Sequence, residues 1–533
     1  MRQFFAAACA FAAPRCAGVC MLALALALLA GCASVLPEVP RTPSQALDDP
    51  RQTLLARSFA GPLASGPGRS GVHLLVSGQE AFAARAVLAE SAQRTLDLQY
   101  YIVAQDATAS QLLYGALRAA GRGVRVRLLI DDMNTGLRDP DLAILALHPN
   151  VEVRLFNPFS LRGLSSLARL FEFLGSSERL NRRMHNKLWI ADNAAVVMGG
   201  RNLGDAYFDG ASDAAFVDLD VLAVGQVVRE VSASFDRFWN SAWAVPIGAF
   251  VRTPVSLAER DAAVAAMAAQ AETFRQGAYA QSVRATELRR QIRSGTLPMV
   301  SVDARALSDV PGDAAADVPD KTEALFPALR GIVERAQREV LMVSPYFVPS
   351  DPSLGLLCEL TARGVRVRVL TNSLASTDVP VVHAGYARYR ARLLACGVAL
   401  FELRPSSDRS TRAPQGLSSG ASLHAKAVVV DRQLALLGSM NLDPRSRRLN
   451  TEVALQIDSA TFGQQLGMVF DEATVPGPVF QVGLEVPGDP ASALYWDGLE
   501  DGRPVRYTVE PLASPWRRIF TPFIGAFMPE ELL

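Results

Sequence analysis

The chain has very few lysines and histidines for its length. Among 53 basic residues only Lys187, Lys321 and Lys426 are lysines, and the 533 residues include five histidines. Arginine replaces lysine almost everywhere, so an ammonium group is kept at only three places. Two of the three lysines follow a histidine by two positions, at His185 and His424. This coincidence indicates that both places need an ammonium group beside an imidazole.

The chain also lacks net charge. Lys+Arg and Asp+Glu balance at 53 each, and half of the residues are hydrophobic (50%). Domains dedicated to nucleic acid are more often strongly basic, with a pI above about 9. A nucleic-acid partner is therefore not expected. The length is sufficient for about three to four domains at most.

Cysteine is scarce outside the N-terminal segment. Four of the six cysteines lie within the first 32 residues, at Cys9, Cys16, Cys20 and Cys32. No C-x-x-C pair or zinc-ligand spacing occurs. Only Cys358 and Cys396 remain, and they either form one disulfide in an oxidising compartment or stay as two buried thiols.

The N-terminal segment is interpreted as a targeting signal. Arg2 and Arg15 are followed by an apolar run over residues 16–30, a length typical of a signal-peptide core and short for a membrane span. The run ends in Leu29-Ala30-Gly31-Cys32, which resembles the lipobox of bacterial lipoproteins and implies lipid attachment to Cys32. A plain signal peptide or an uncleaved anchor is the alternative. Ala33 follows the cysteine, which by the sorting rule of such lipoproteins implies an outer-membrane protein facing the periplasm.

The second half of the chain repeats the first. Arg122-Gly123-Val124-Arg125-Val126 is matched 241 residues later by Arg363-Gly364-Val365-Arg366-Val367, close to the 239 residues between the two motif histidines. Tyr101-Ile102-Val103 likewise matches Tyr346-Phe347-Val348. Self-similarity of this kind predicts two copies of one domain.

Each copy alternates β-branched strand segments with helix-like segments, which predicts an α/β sandwich with helices on the faces of the sheet. The expected order is a signal peptide (1–31), a flexible tether (32–70), a first domain (71–245), a helical connector (246–300), a second domain (301–470) and a C-terminal extension (471–533). That extension mixes bulky apolar residues with two arginines between Trp516 and Phe527. It lies either in a membrane interface or against the second domain.

The two histidine motifs continue in the same way. Each H-x-K is followed by an aspartate, and Gly199-Gly200-Arg201-Asn202 and Gly438-Ser439-Met440-Asn441 follow at identical distances. Each motif opens a predicted strand, where residues two apart share a face. The glycines permit tight turns or close backbone approach, and each asparagine offers an amide donor. Two imidazoles, two ammonium groups and two amides, brought together at a domain interface by pseudo-symmetry, suit a tetrahedral oxyanion.

A phosphodiester is the substrate class that this constellation predicts. One neutral imidazole attacks phosphorus while the other, protonated, donates to the departing alcohol oxygen, which gives a phosphohistidine and a two-step exchange. The groups expected to hold the non-bridging oxygens are Lys187, Lys426, Asn202 and Asn441. Neither a metal nor another cofactor is required.

The doubled H-x-K-x4-D followed by G-[GS]-x-N resembles the signature of the phospholipase D superfamily, over residues 71–458. The resemblance implies two domains of that fold with the active site at their interface. It also implies structural roles for Asp192 and Asp431, the last residues of the two motifs.

The same resemblance implies that a later carboxylate orients each histidine. Glu452, in Asn450-Thr451-Glu452-Val453, is expected to pair with His424. Asp220, in Asp218-Leu219-Asp220-Val221, is expected to pair with His185 after several inserted residues. A solvated loop carboxylate is the alternative for either acid.

Finer matches around His185, Asn202, Asn372, Tyr386 and Asn441 resemble the cardiolipin synthase C type of bacteria. Members transfer a phosphatidyl group between phospholipids. The resemblance implies transfer onto a glycerol hydroxyl of phosphatidylglycerol, with ethanolamine or glycerol leaving. It makes His185 the nucleophile and His424 the general acid and then base, although the near symmetry allows the reverse. Phospholipids and a membrane surface are the expected partners, and no protein partner is identified.

Tyr386, Tyr389 and Arg390 lie on a predicted helix, where positions three and four apart share a face. They either contact a lipid head group or belong to an amphipathic surface helix. His383, one turn earlier, is interpreted as a satisfied surface histidine.

Three functions compete. A phosphatidyltransferase and a phospholipase or nuclease share the first covalent step and differ in whether an alcohol or water takes the phosphoryl group. A catalytically silent lipid-binding lipoprotein is the third. Two intact motifs argue against silence, and the neutral charge and lipid anchor argue against a nuclease. The sequence therefore favours the transferase, with a hydrolase as the alternative.

Overall fold

The structure, a computed structural model, describes most of the chain. The described residues are 36–37, 39–61, 70–133, 135–137, 139–162, 166–210, 215–251, 254–312, 324–405 and 421–529. The signal segment with Cys32, and Lys321, lie outside them.

The first half of the chain builds one sheet in the order β9-β4-β3-β2-β5-β6-β8-β1. Strands β2, β3 and β4 are parallel, and the other pairings are antiparallel. The strands of this half are β1 Ser70–Leu75, β2 Thr95–Tyr100, β3 Arg125–Asp131, β4 Val151–Phe156, β5 Leu188–Ala191, β6 Ala195–Gly199, β7 Ala215–Val217, β8 Asp220–Gly225 and β9 Ala244–Pro246.

Helices cover both faces of this sheet. Ser77 and Asp106 cap two of them by accepting the backbone N–H groups of Glu80 and Ala109, which removes unpaired donors at the helix starts. The helices are α1 Leu54–Ser58, α2 Gly78–Ser91, α3 Ala107–Gly121, α4 Asp139–Ala146, α5 Ser166–Gly175, α6 Ser177–Leu180, α7 Gln226–Trp239, α8 Leu257–Gln276, α9 Ala278–Arg284 and α10 Glu287–Ser294, with 3-10 turns at Asp205–Tyr207 and Ile247–Ala249.

The second half repeats this pattern and extends it, in the order β10-β17-β16-β15-β11-β12-β13-β18-β19-β20. Its strands are β10 Val300–Ser308, β11 Glu339–Val343, β12 Arg366–Asn372, β13 Ala399–Leu403, β14 Ala421–Leu423, β15 Ala427–Val430, β16 Leu434–Gly438, β17 Val453–Asp458, β18 Val479–Leu484, β19 Leu494–Glu500 and β20 Arg503–Tyr507. Its helices are α11 Leu325–Val333, α12 Asp351–Ala362, α13 Pro380–Ala395, α14 Pro444–Arg448, α15 Ala460–Ala473 and α16 Pro515–Phe527.

The two halves join edge to edge and face to face. Strands β1 and β10 pair antiparallel, with Val72 opposite Val300. One hydrophobic core contains residues of both halves, among them Phe235 of α7 and Phe462 of α15. Because a sheet or helix must bury its apolar face, this shared core fixes the halves against each other. The predicted fold of two pseudo-symmetric α/β domains is confirmed.

The internal match of the two tyrosines was misaligned by one residue. Isolated bridges join Val103 to Leu203 in the first half and Phe347 to Leu442 in the second. Leu203 and Leu442 each follow a motif asparagine, so Val103 corresponds to Phe347. The spatial counterpart of Tyr346 is therefore Ile102, and not Tyr101.

Residues 39–61 are not the flexible tether that their composition predicted. Arg127 and Arg154 donate to the carbonyls of Ser44 (2.9 Å) and Thr42 (2.7 Å). The Ala46 N–H donates to Asp236 (2.8 Å), and Phe59 is buried. Turn-forming residues there are compatible with an ordered strap, because buried side chains of the first domain satisfy its backbone groups.

The segments on either side of the second domain pack on the core. The connector, predicted to be helical, forms α8, α9 and α10 and packs on α2 and α3. The C-terminal extension adds β18, β19 and β20 to the second sheet, and α16 packs on α13. Cys358 and Cys396 form a disulfide. Among the described residues, no helix combines the length and the hydropathy needed to cross a bilayer.

Candidate active site

Each motif histidine lies beside a segment of the other domain. His185 precedes β5, and its N–H donates to the Thr451 carbonyl at 2.9 Å. His424 precedes β15, and its N–H donates to the Val217 carbonyl at 2.7 Å, where β14 and β7 pair in parallel. The two domains thus exchange backbone hydrogen bonds at both histidines. Each imidazole is held at the domain interface.

This exchange decides which carboxylate orients which histidine. His185 Nδ1 lies 2.9 Å from Glu452 Oε2, and His424 Nδ1 lies 2.6 Å from Asp218 Oδ2. The expected pairs, Glu452 with His424 and Asp220 with His185, were wrong. Each acid serves the histidine of the other domain, because the acid-bearing segment lies against the opposite motif.

The register of the sheet explains why Asp218 takes this role. Gly199 pairs with Asp220 in the first half, and Gly438 pairs with Ala454 in the second. Asp218 lies two residues before Asp220, the partner of Gly199. In the same way, Glu452 lies two residues before Ala454, the partner of Gly438. The sequence could not reveal this correspondence, since the first half contains extra residues before the acid.

Asp220 is instead bound in a buried ion pair. Its carboxylate lies 2.9 Å from the guanidinium of Arg85, and both side chains are fully buried. A second guanidinium, that of Arg201, lies 3.7 Å away. Asp220 therefore holds α2 against the sheet and contacts neither histidine.

Gly200 makes room for the acid beside His424. A Cβ atom at this position would lie 2.1 Å from Asp218 Oδ1, well inside van der Waals contact. The second half has Ser439 here, and its hydroxyl donates to Glu452 Oε2 at 2.5 Å. The two acids are thus positioned differently: one by close approach to a glycine and the other by a hydroxyl.

The site concentrates positive charge in a buried space. His185 and His424 are each 6% exposed, and Lys187 and Lys426 are buried. Burial, followed by the neighbouring ammonium groups, holds the pKa of His185 well below its usual range. The pKa of His424 is also lowered by burial and by Lys426, but Asp218 opposes that shift. Burial lowers the pKa of Lys187 as well, and brings that of Lys426 to about 8. An anion entering this space would favour the protonated forms of these groups and be stabilised by them.

Protein stability is expected to rise between about pH 8 and 10.5, because folding lowers the pKa of Lys426 to about 8. In this window the unfolded chain binds more protons than the folded chain, so deprotonation favours folding, by about 3 kcal/mol in total. The Lys426→Met variant is expected to melt at a higher temperature at pH 7 and to show a flatter pH profile. Thermal unfolding followed by circular dichroism across this range measures both effects.

Lys321→Met is the matched control, since it removes the one lysine outside the two motifs. A Lys426→Met variant whose melting temperature changes with pH as steeply as that of the wild type would show that Lys426 does not cause the pH dependence of stability.

The remaining motif residues have distinct surroundings. Lys187 Nζ donates to the His185 carbonyl at 2.5 Å, and Lys426 Nζ donates to the His424 carbonyl. Each ammonium carries three donors, so further donors are left for a ligand. The Asn202 amide donates to Tyr207 Oη at 3.0 Å. Asn441 Oδ1 is buried without a hydrogen-bond partner in the described part of the chain.

The motif aspartates bind local backbone in the same way in both halves. Asp192 accepts the N–H groups of residues 93–95, and Asp431 accepts those of residues 337–339. Both residues have positive φ, at 55° and 54°. These carboxylates fix the start of β2 and β11 against the motif strands, which is the structural role that the resemblance implies.

Aromatic rings around the imidazoles were not identified from the sequence. The Tyr101 ring lies edge-on to His185 at 4.9 Å, and its counterpart at His424 is Tyr207 at 5.3 Å. Phe216 adds a second ring against His424 at 5.1 Å. These rings restrict water at the site. Their positions arise from three separate segments, so no local pattern points to them.

Two buried polar residues hold the strands that precede the histidines. Asp131 accepts the Met184 N–H at 2.9 Å and pairs with Arg183 at 3.1 Å. Asn372 accepts the Leu423 N–H at 2.9 Å. Asp131 and Asn372 each follow the first arginine of the two matched Arg-Gly-Val-Arg-Val segments by nine residues. This equal spacing is the feature of the sequence that could have identified both residues.

The predicted head-group residues on α13 do not reach the active site. Tyr386 Oη donates to Glu402 at 3.1 Å, and Arg390 pairs with Glu402 at 3.1 Å. Tyr389 belongs to the core of the second domain. His383, expected at the surface, is buried and lies 2.9 Å from Arg390. Both interpretations of this helix were wrong, because its polar side chains face Glu402 of β13 and Glu510 of the C-terminal extension.

No group of three or more His, Cys, Asp or Glu side chains in the described ranges is arranged to hold a metal ion. The two lysines and two histidines of the site suit an anion better than a cation.

Known proteins resemble this chain along most of its length. The pattern of the family described as cardiolipin synthase, PLD-like domain matches residues 87–239 and 329–474. Cardiolipin synthase C of Escherichia coli (strain K12) is 39% identical over 473 residues, which cover 88% of this chain and 97% of that protein. Cardiolipin synthase A of Pseudomonas entomophila (strain L48) is 27% identical over 408 residues, or 75% of this chain and 69% of that protein.

A solved structure shows the same fold at lower identity. The crystal structure of phosphatidylserine synthase of Haemophilus influenzae Rd KW20 has a TM-score of 0.50 and 13% identity, covering 80% of this chain and 91% of that chain. An identity this low is evidence for the fold alone.

Proposed function

The chain belongs to the phospholipase D-like family of the cardiolipin synthases, a family of phosphatidyltransferases, and we propose that it makes cardiolipin from phosphatidylglycerol and a second phospholipid. The observation that carries the proposal is the pair of buried imidazoles, His185 and His424, each held through Nδ1 by a carboxylate of the other domain. This arrangement leaves both Nε2 atoms for chemistry.

In the first step, His185 Nε2 attacks the phosphorus of the donor phospholipid. A phosphorus–nitrogen bond forms, and the bond from phosphorus to the head-group oxygen breaks. His424, protonated on Nε2, gives its proton to that oxygen, so ethanolamine or glycerol leaves as a neutral alcohol group. Lys187 and Lys426 stabilise the charge that develops on the non-bridging oxygens.

In the second step, neutral His424 accepts the proton of a glycerol hydroxyl of phosphatidylglycerol. The resulting oxygen attacks phosphorus, and the phosphorus–nitrogen bond breaks. His185 and protonated His424 are thereby restored, and one phosphodiester has been exchanged for another. Glu452 holds the Nδ1 proton of His185 throughout, which keeps Nε2 directed at phosphorus.

The electrostatics support His185 as the nucleophile. Its pKa is held well below the usual range by burial and by two ammonium groups, which keeps the imidazole neutral. Burial and Lys426 lower the pKa of His424 as well, but Asp218 opposes that shift, so His424 holds a proton more readily than His185 does. A nucleophile must be neutral and a general acid protonated, so this difference favours His185 as the nucleophile.

The function is tested with purified, detergent-solubilised protein. The protein is incubated with phosphatidylglycerol and phosphatidylethanolamine, and the products are analysed by mass spectrometry. Cardiolipin that forms with the wild type and not with His185→Ala supports the transferase. Phosphatidic acid as the sole product would identify a hydrolase instead, and no lipid product from an intact, folded protein would overturn both.

The membrane surface is proposed as the partner of α16. One side of this helix packs on α13, while Trp516, Phe523 and Phe527 are 66%, 61% and 76% exposed. The helix carries two arginines and no acid, which suits an anionic lipid surface. Arg517 also donates to the carbonyls of residues 374, 375 and 377, close to Asp378. Asp378 accepts from Tyr346 near the site.

Helix α5 has a second exposed apolar face. It exposes Leu167, Leu170 and Leu174, which lie on one face at helical spacing. Its acid, Glu172, is buried against Arg179. The chain continues from α5 through α6 directly to the His185 motif.

Replacing Trp516 and Phe523 with serine is expected to weaken binding to phosphatidylglycerol-containing vesicles at least about tenfold, because each side chain contributes its apolar area to the interface. Vesicle flotation with purified protein that lacks residues 1–32 measures the change without a lipid anchor. The control is Met468→Ser, which removes an exposed apolar side chain from α15. Equal binding by wild type and double variant would contradict a docking role for α16.

An outer-membrane lipoprotein facing the periplasm is proposed as the cellular form. The Leu29-Ala30-Gly31-Cys32 sequence supports it, and so does the Cys358–Cys396 disulfide, since disulfides persist in oxidising compartments. Radioactive palmitate should label the wild type and not Cys32→Ser, and membrane fractionation should place the labelled protein in the outer membrane. Label retained by Cys32→Ser would contradict acylation at this residue.

A further inference from the structure

A cavity of about 320 Å³ opens beside the active site in the second domain. It lies between α11, the start of α12 and α14, and most of its lining is apolar, including Phe326, Leu329, Phe347 and Leu356. A volume of this size and an apolar lining with a few polar groups are typical of small-molecule sites. None of the catalytic steps above uses this cavity.

The first domain differs at the position that matches Phe326. Phe82 and Phe326 occupy corresponding positions in the two domains. In each domain, one residue of the neighbouring strand pairs with the last residue of the motif strand, β5 or β15. Phe82 and Phe326 each lie 14 residues before that pairing residue. The Phe82 ring contacts the rings of Phe208, Phe274 and Tyr279 at 5.6–5.8 Å. Two of these three rings come from the connector helices α8 and α9. The connector rings therefore fill the space around Phe82, while a cavity of about 800 Å³ remains open beside them, between α3, α4 and α8.

The second domain has a charged residue at the corresponding position. Phe208 follows Asn202 by six residues, and Arg447 follows Asn441 by six. The Arg447 guanidinium lies over the Phe326 ring at 4.4 Å. Its Nε is buried without a hydrogen-bond partner among the described residues. An unpaired guanidinium nitrogen beside an apolar cavity suits a ligand that is both anionic and apolar.

The cavity adjoins segments that border the active site. Leu442 and Asp443, the two residues after the motif asparagine Asn441, both line it. Phe347, also in its lining, follows Tyr346. Burial raises the pKa of Asp443, and Glu452 lies close enough for its carboxylate to raise that pKa further, to about 7 in all. A ligand in the cavity would therefore lie next to the segment that carries the motif asparagine.

We propose that this cavity binds an acyl chain of a phospholipid substrate whose phosphate lies between the two motifs, with Arg447 at the boundary between chain and head group. The inference rests on the proposed function. The two domains differ around these phenylalanines: aromatic rings surround Phe82, whereas Phe326 lines the cavity beneath the Arg447 guanidinium. A single acyl-chain site also makes the nearly symmetric active site bind its lipid in one orientation.

Leu356→Trp is designed to fill the cavity without touching the catalytic residues. Transfer is measured with dioleoyl-phosphatidylglycerol in mixed micelles and with dihexanoyl-phosphatidylglycerol, whose short chains occupy less of the cavity. We expect kcat/KM for the long-chain substrate to fall at least about tenfold, because the bulky indole displaces several methylene groups. The value for the short-chain substrate should stay within about twofold. Met468→Trp, at an exposed position of α15, is the control for adding an indole.

Two further outcomes separate this inference from the function on which it rests. Equal losses with both substrates, or no loss with either, would overturn the acyl-chain site. Retention of dioleoyl-phosphatidylglycerol in native mass spectrometry is the second measurement, and it needs no turnover. Wild-type protein that retains the lipid but forms no product, while Leu356→Trp does not retain it, would sink the proposed transfer and support the cavity. Equal retention by both proteins would overturn the cavity.

Discussion

Replacing His185 with alanine is expected to lower phosphatidyl transfer by at least about four orders of magnitude, because no other neutral imidazole can reach phosphorus from the same side. His424→Ala should cause a loss of similar size with natural lipids, since their alcohols leave poorly without a proton. Product formation by mass spectrometry measures both losses. His148→Ala is the control, because that ring lies outside the site and accepts the N–H of Asn150.

A phosphatidyl ester of p-nitrophenol separates the two roles. This leaving group departs without a general acid, so His424→Ala should release one equivalent of nitrophenolate in a burst and then stall as the phosphohistidine. His185→Ala should show no burst, since it cannot form that intermediate. A burst in His185→Ala and none in His424→Ala would exchange the two roles. Retained turnover in both variants would contradict covalent catalysis by either histidine.

The crossed carboxylates provide the second large effect. Glu452→Gln and Asp218→Asn are each expected to reduce transfer on the order of 10³-fold, because an amide no longer stabilises the imidazolium or holds the reactive tautomer. Glu452→Gln should slow the nitrophenolate burst, because Glu452 lies against His185. Asp218→Asn should leave the rate of that burst unchanged and should slow the steps that need His424.

Asp220→Asn is the matched control for these two variants and has a different expected defect. It removes the buried partner of Arg85, 2.9 Å away, and leaves a guanidinium uncompensated in the core. The expected loss of unfolding free energy is about 3–5 kcal/mol, while the folded fraction keeps its pH–rate profile. Chemical denaturation measures the first and steady-state kinetics the second. A changed pH–rate profile in Asp220→Asn together with an unchanged profile in Asp218→Asn would contradict the crossed arrangement.

The doubled motif was sufficient to predict the fold class and the location of the site between two domains. Each histidine and lysine is fixed by local spacing at the start of a strand, and a repeat of whole domains implies pseudo-symmetry. The two carboxylates show where this reasoning ends. The match of Asp218-Leu219-Asp220-Val221 to Asn450-Thr451-Glu452-Val453 predicted Asp220, whereas the ladder register, which depends on pairing between distant strands, selects Asp218.

Burial was the second property that local sequence patterns did not predict. Tyr386 and Arg390 have the spacing of an amphipathic surface helix, yet both are buried. Glu402 from β13 and Glu510 from the C-terminal extension compensate the Arg390 charge. The strap at residues 39–61 shows the same effect, since the domain's arginines order a segment whose composition is typical of a linker.

The sequence by itself determined the chemistry of the site: two histidines, two lysines and two asparagines in a repeated spacing that has few uses other than binding a phosphate. The tertiary structure decided which acid serves which histidine, where the apolar cavity beside Arg447 lies and which helix faces are covered. The physical reason is that residue type and short-range spacing set what a side chain can do, while partner choice and burial depend on contacts between segments far apart in the chain. Here the two domains exchange backbone hydrogen bonds at both histidines, so each half of the site is completed by the other.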